Sequence, residues 1–209
     1  MFAPKTAASP GLTEGERERV ARAVRDKYRK VAVSSAGQFR FPVGREGLAG
    51  LGYDRGLVEG LPPDVADCFC GVGNPFSLGA VRPGDRVLDI GCGAGVDALL
   101  AAKSAWPGGL AVGLEFTPAM TVKARALAKA AGVTNAAFVD GEAGNLPFED
   151  ESFDLVISNG VFNLAPDKPR ALAEARRVLK PGGRLQIADQ ILTGPAPADQ
   201  EEALSNWFR

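Results

Sequence analysis

The sequence predicts an α/β protein with a doubly wound, mostly parallel sheet and an N-terminal cap of helix and loop. Three observations carry that prediction. From Val81 onward, short β-rich runs alternate strictly with helical stretches, the pattern of a parallel sheet with right-handed crossovers. A glycine cluster at residues 91–95 follows the first of these strands and opens a helix. Before them, residues 13–80 hold a charged helix and then a stretch broken by Gly and Pro. The chain divides into a flexible tail (1–12), the cap (13–80) and the α/β domain (81–209).

The elements follow in order. Thr13 and Glu16 have the spacing of a capping box, so a helix starts at Thr13. Val20, Val24, Tyr28 and Val31 fall at helical spacing among many charges of both signs, as on a solvated helix face. Residues 37–80 read as turns and short helices. Their aromatics, Phe39, Phe41, Tyr53, Phe69 and Phe76, suit either a lid over a site or a wrapper around the core. Strands are predicted at Arg86–Ile90, Leu110–Leu114, Ala136–Val139, Phe153–Ser158 and Leu185–Ile191. Helices are predicted at Asp97–Ser104, and from the N-cap Thr117 with Pro118 to Gly132. A third runs Asp167–Lys180, with Leu172, Ala175, Val178 and Leu179 on one stripe, and stops at Pro181-Gly182-Gly183.

Composition narrows the chemistry. The 209 residues carry 24 Lys and Arg against 25 Asp and Glu, a net charge of -1, which excludes a polycation built for nucleic acid or a membrane surface. Apolar residues are 45%, enough for a packed core. There is no histidine, which excludes Ser-His-Asp and Cys-His catalysis and His metal sites. Three cysteines, Cys68, Cys70 and Cys92, are too few for a disulfide framework and fit a reducing compartment. No apolar run reaches the roughly 20 residues of a membrane span, and Met1–Leu12 lacks the apolar segment of a signal peptide. The expectation is a cytoplasmic protein.

The glycine cluster carries the chemistry. Gly91, Gly93 and Gly95 allow a sharp turn and close approach of a ligand. Val96 stands where a dinucleotide fingerprint has its third glycine, which disfavours a nicotinamide dinucleotide. Glu115 ends the second strand 24 residues after Gly91, where a carboxylate can take both ribose hydroxyls. The same rim should receive Gly141-Glu142-Ala143 after the third strand and Ser158-Asn159-Gly160 after the fourth.

At these residues the chain resembles a class I S-adenosylmethionine-dependent methyltransferase. Asp89-x-Gly91-x-Gly93-x-Gly95 is similar to that superfamily's first motif. Gly141–Phe148 resembles its adenine segment, and Phe153–Ser158 and Val178–Arg184 its later motifs. The resemblance implies a Rossmann-like sheet, an S-adenosylmethionine-binding domain at 81–209, and cofactor contacts at Asp89, Gly91, Cys92, Gly93, Gly95, Glu115, Phe116, Thr117, Gly141, Glu142, Ala143, Ser158 and Asn159. Cys92 would serve there by its small size. A narrower resemblance, to arsenite methyltransferases, rests on Leu51-Gly52-Tyr53, Gly71–Pro75, Phe116–Met120 and Ser158–Lys168, and runs from about Val24 to the C-terminus. Members of that family bind the trivalent metalloid through cysteine thiolates. At two of their cysteine positions this chain has Val72 and Gly160, so arsenite methylation is not carried over.

Cys68, Cys70 and Asn74 remain as substrate candidates. In an extended C-x-C segment both thiols point the same way and can share a soft ion; two small buried hydrophobes are the plainer reading. No metal site and no catalytic base are assigned. Three functions stay open: a methyltransferase for a small-molecule acceptor, one for a metalloid or thiol acceptor held by Cys68 and Cys70, and a truncated non-catalytic nucleotide-binding or interaction domain. The resemblance implies seven strands where five are counted, and a thiol residue soon after Trp207, just past Arg209. This raises the expectation of a reading frame halted at a selenocysteine codon, with a fragment or a short variant as alternatives. The fifth strand would then be an exposed edge inviting a homodimer.

Overall fold

The structure is a computed structural model in which residues 12–191 are described. Residues 1–11, and the segment around Trp207, lie outside the described residues. Helix α1 spans Glu14–Val33, and its first turn closes as the sequence requires: the Thr13 N–H and hydroxyl both donate to the Glu16 carboxylate at 2.7 Å. Three short helices follow, α2 (Gly44–Gly50), α3 (Arg55–Glu59) and α4 (Pro63–Ala66), then a 3₁₀ turn at Pro75–Leu78.

The α/β domain comprises β1 (Arg86–Ile90), α5 (Val96–Ala105), β2 (Leu110–Glu115), α6 (Pro118–Ala130), β3 (Ala136–Asp140), β4 (Phe153–Asn159), α7 (Lys168–Arg177) and β5 (Leu179–Ala188). Every strand pair is parallel, in the order β3-β2-β1-β4-β5. The order reverses between β1 and β4, and ligands of such sheets sit beyond the carboxyl ends of the strands at that point. Among the described residues, no helix is long and apolar enough to cross a membrane.

The cap divides its work. Leu48, Leu61, Val65 and Phe69 bury against Leu99 and Leu100 of α5, and Tyr53 meets Phe69 and Phe76 edge-on. These aromatics wrap the core. Among the described residues of the cap, only α1 and residues 68–71 reach over the ends of the strands.

The end of α7 corrects the sequence expectation. The helix stops at Arg177, not Lys180, because the sheet takes its last carbonyls: Ser152 and Phe153 N–H groups donate to Val178 O at 2.8 and 3.0 Å. Pro181-Gly182-Gly183, expected as a stop, becomes an irregularity inside β5, where the register slips between Phe153–Leu179 and Leu155–Arg184. The stripe shifts accordingly. Ala171, Ala175 and Val178 are buried, and Leu172 is 41% exposed.

Gly91 is fixed by packing as well as by its turn. Its φ is +72°, and a Cβ there would overlap the methyl groups of Val161 in the loop after β4. Gly91→Ala is therefore expected to cost about 2–4 kcal/mol, left-handed strain plus overpacking. Gly132→Ala has φ +64° with open space around it, and should cost about 1–2 kcal/mol from strain alone. Urea denaturation of the two variants checks the difference.

Candidate active site

A cavity of about 520 Å³ opens over the ends of β1, β2 and β4. Its floor is the loop after β1, with Asp89, Gly91, Cys92 and Gly93. Its sides are Glu115 and Phe116 after β2, Gly141–Ala143 after β3, and Asn159 after β4. Cys68 and Cys70 of the cap line one end, and α1 roofs it with Arg17, Ala21, Val24 and Tyr28. Four expected residues do not line it. Gly95 gives room to Phe138 and Ala124: a Cβ would come within 2.6 Å of the Phe138 ring. Thr117 is buried behind Glu115, and the Ser158 hydroxyl donates to Ile90 O at 3.1 Å. Asn74 begins the 3₁₀ turn, accepting from Phe76 N–H and donating to Gly52 O.

The glycine loop is tied to the end of β2. Gly91 and Cys92 N–H groups both donate to Leu114 O at 2.7 and 3.0 Å. Glu115 completes the tie: its Oε2 accepts from Gly93 N–H at 3.0 Å and its Oε1 from Thr117 N–H at 2.8 Å. These bonds oppose the upward push that burial gives its pKa. Asp89 is 1% exposed, and its Oδ2 has no hydrogen-bond partner. Burial, then the carboxylates of Asp97 and Glu115, hold its pKa well above the ordinary range.

Asp97, in the first turn of α5, was not singled out in the sequence. It anchors a clasp. Tyr53 Oη donates to its Oδ1 at 2.8 Å, and Asn159 Nδ2 to its Oδ2 at 3.0 Å. Asn159 Nδ2 also reaches Gly73 O at 2.8 Å, while its Oδ1 accepts from Val72 and Gly73 N–H groups. Cap, sheet and α5 meet on one amide. The signal available in sequence was position: an acid two residues past Gly95, one turn above the loop.

Burial pushes Asp97 up to about 6, against the pull of its two hydrogen bonds. Asp97 thus holds its proton more tightly folded than unfolded. Its contribution is fully favourable below about pH 4 and is lost as pH rises to about 6. The stability difference between Asp97→Asn and the parent should move in the variant's favour by roughly 1–3 kcal/mol across that window, measured by urea denaturation at pH 4, 5, 6 and 7.

The thiol segment is not extended. After α4 it turns, with Cys68 N–H donating to Val65 O and Phe69 N–H to Ala66 O, so the alternation expected for C-x-C does not apply. Both thiols still line the cavity. Cys68 Sγ donates to Asp64 O at 3.1 Å, and burial pushes Cys70 up to about 12. Cys70 is therefore a neutral thiol at working pH. Cys92 is buried, with its Sγ packed close over Gly113. The positions of Val72 and Gly160 prove to be neighbours. A Cβ on Gly160, whose φ is +73°, would lie 3.2 Å from a Val72 methyl. Hydrocarbon fills that spot. Among the described residues, no group of three His, Cys, Asp or Glu is placed to hold a metal.

Comparison with known proteins agrees with this geometry. The methyltransferase-domain family matches residues 82–208. An arsenite methyltransferase of Halobacterium salinarum is 46% identical over 149 residues, covering 71% of this chain and 38% of that protein. A 2-phytyl-1,4-naphtoquinone methyltransferase of Synechococcus elongatus is 34% identical over 149 residues, covering 63% of each. The crystal structure of an arsenic(III) S-adenosylmethionine methyltransferase from Chlamydomonas reinhardtii superposes with a TM-score of 0.60 at 43% identity, covering 65% of this chain and 48% of that one. The chain spans less than half the length of either arsenic relative. It belongs to the methyltransferase-domain family, with the class I S-adenosylmethionine-dependent fold of the arsenite methyltransferase type.

Proposed function

We propose that the chain binds S-adenosylmethionine in this cavity and transfers its methyl group to a small-molecule acceptor. The observation that carries the reading is the convergence of three buried carboxylates, Asp89, Asp97 and Glu115, on the cavity lining. Burial and the other two carboxylates push Asp89 up, and its Oδ2 is unpartnered among the described residues. Such a lining suits a ligand that brings its own positive charge and hydrogen-bond donors. S-adenosylmethionine has a sulfonium, an ammonium and two ribose hydroxyls, so the residues fit it.

In this reading Glu115 accepts from the ribose hydroxyls, and Gly91 and Gly93 keep the loop free of side chains beneath the ligand. Phe116 and Gly141-Glu142-Ala143 border the adenine. When bound, the cofactor supplies an electrophilic methyl group on a charged sulfur. The protein's part is to hold the acceptor behind that methyl, where good orientation is worth about 7–11 kcal/mol. Asp97 has both oxygens engaged by Tyr53 and Asn159, which suits it to holding the cap.

A second reading, a soft acceptor held by Cys68 and Cys70, is favoured by both thiols lining the cavity. Against it stands the apolar contact of Val72 with Gly160. Methyl transfer from labelled S-adenosylmethionine, with arsenite and with a simple thiol as acceptors, separates the two. Product from arsenite that Cys68→Ser and Cys70→Ser abolish supports the soft-acceptor reading; product that survives both substitutions removes it.

A further inference from the structure

The cavity has a roof that the proposed function leaves unused. α1 crosses above the glycine loop and is fixed there at three points. Arg17 pairs with Asp167 at 2.9 Å, the Arg25 guanidinium lies 4.2 Å over the Phe116 ring, and Lys123 Nζ donates to Ala32 O at 3.0 Å. Tyr28 sits between the last two anchors, one turn beyond Arg25 and on the same side of the helix. Its ring is tilted against Phe39 and, like Cys68 and Cys70, packs against the buried cluster of Val31, Ala94 and Met120.

Most polar side chains near that loop are already engaged. Glu115, Asp97, Asn159 and Tyr53 have their partners. The Tyr28 hydroxyl has none among the described residues, although its ring lines the cavity. Tyr28 is half-buried and lines the cavity, so a ligand held there lies within reach of its side chain.

We propose that Tyr28 is a contact residue of the cofactor site, its hydroxyl donating a hydrogen bond to the bound S-adenosylmethionine, so that α1 is part of the site rather than a cover for it. The inference rests on the reading that the cavity takes this cofactor. The phenol is suited to donate only. Burial, with Cys70, Glu115 and Asp189 facing it, raises its pKa above the ordinary tyrosine value, so it stays protonated.

The test uses S-adenosylhomocysteine, the methyl-free product, in calorimetry and fluorine NMR on the full chain. The sequence has two tyrosines, so 3-fluorotyrosine labelling gives two resonances. That of Tyr28 is assigned by its loss in Tyr28→Phe or its survival in Tyr53→Phe. Saturating ligand is expected to move the Tyr28 resonance, and Tyr28→Phe, which keeps the ring, is expected to raise Kd about tenfold. A Kd within twofold of the parent overturns the inference and leaves the cofactor reading intact. If Tyr28→Phe does not fold, an unmoved Tyr28 resonance in the liganded parent overturns it equally. A folded parent that does not bind the ligand overturns the cofactor reading, and this inference with it.

Discussion

Glu115→Gln is expected to weaken S-adenosylhomocysteine binding about a hundredfold while the chain still folds. The carboxylate serves two sets of donors. Its oxygens accept the Gly93 and Thr117 N–H groups, which fixes the glycine loop against β2. Their remaining lone pairs are the proposed seat of the two ribose hydroxyls. Glutamine offers one oxygen and one NH₂ group, so one backbone N–H faces a donor and one ribose hydroxyl loses its acceptor. Hydrogen bonds to a charged group contribute about 1.5–3 kcal/mol each, and the lost ribose bond at the upper figure corresponds to roughly a hundredfold in Kd. Calorimetry measures it directly. A Kd within threefold of the parent would remove Glu115 from the cofactor site.

Asn159→Ala is expected to destabilise the fold by about 3–5 kcal/mol, the largest effect on stability anticipated for a single polar residue here. The Asn159 amide joins three parts of the chain. Removing it strips Val72 and Gly73 N–H groups of their acceptor, Gly73 O of a donor, and Asp97 of one of its two hydrogen bonds. The Asp97 loss is the costly one, because a buried carboxylate then keeps only Tyr53. The break should also loosen residues 70–73, which line or adjoin the cavity. Urea denaturation at pH 7 checks the expectation, and a loss under about 1 kcal/mol would show that the clasp is not a stabilising joint.

The sheet and its glycine loop were legible because their signals are local. Strand runs, the Thr13–Glu16 cap and the Gly91–Gly95 spacing each depend on residues within a few positions of one another. The boundary between α7 and β5 was not legible. It is decided by β4, whose N–H groups claim the Val178 carbonyl from a segment far away in sequence. The same difference separates the site residues. Asp89, Glu115 and Asn159 were placed by strand ends and lie where expected. Thr117 and Ser158 share those ends, but their side chains are buried in the protein, and Asn74 is taken up by the cap and its 3₁₀ turn. Tyr28 enters the cavity because of how α1 lies over it, which no short-range pattern marks, whereas Asp97 was marked only by its place two residues past Gly95. Gly91 and Gly95 were read as room for a ligand, whereas their missing side chains also make room for Val161 and Phe138.

The central claim is that the acidic cavity over the glycine loop is an S-adenosylmethionine site. Titration calorimetry of the folded chain with S-adenosylmethionine and S-adenosylhomocysteine tests it most directly. The account predicts one site per chain for both ligands, weakened about a hundredfold in Glu115→Gln. A chain that is folded by circular dichroism and binds neither ligand would contradict it.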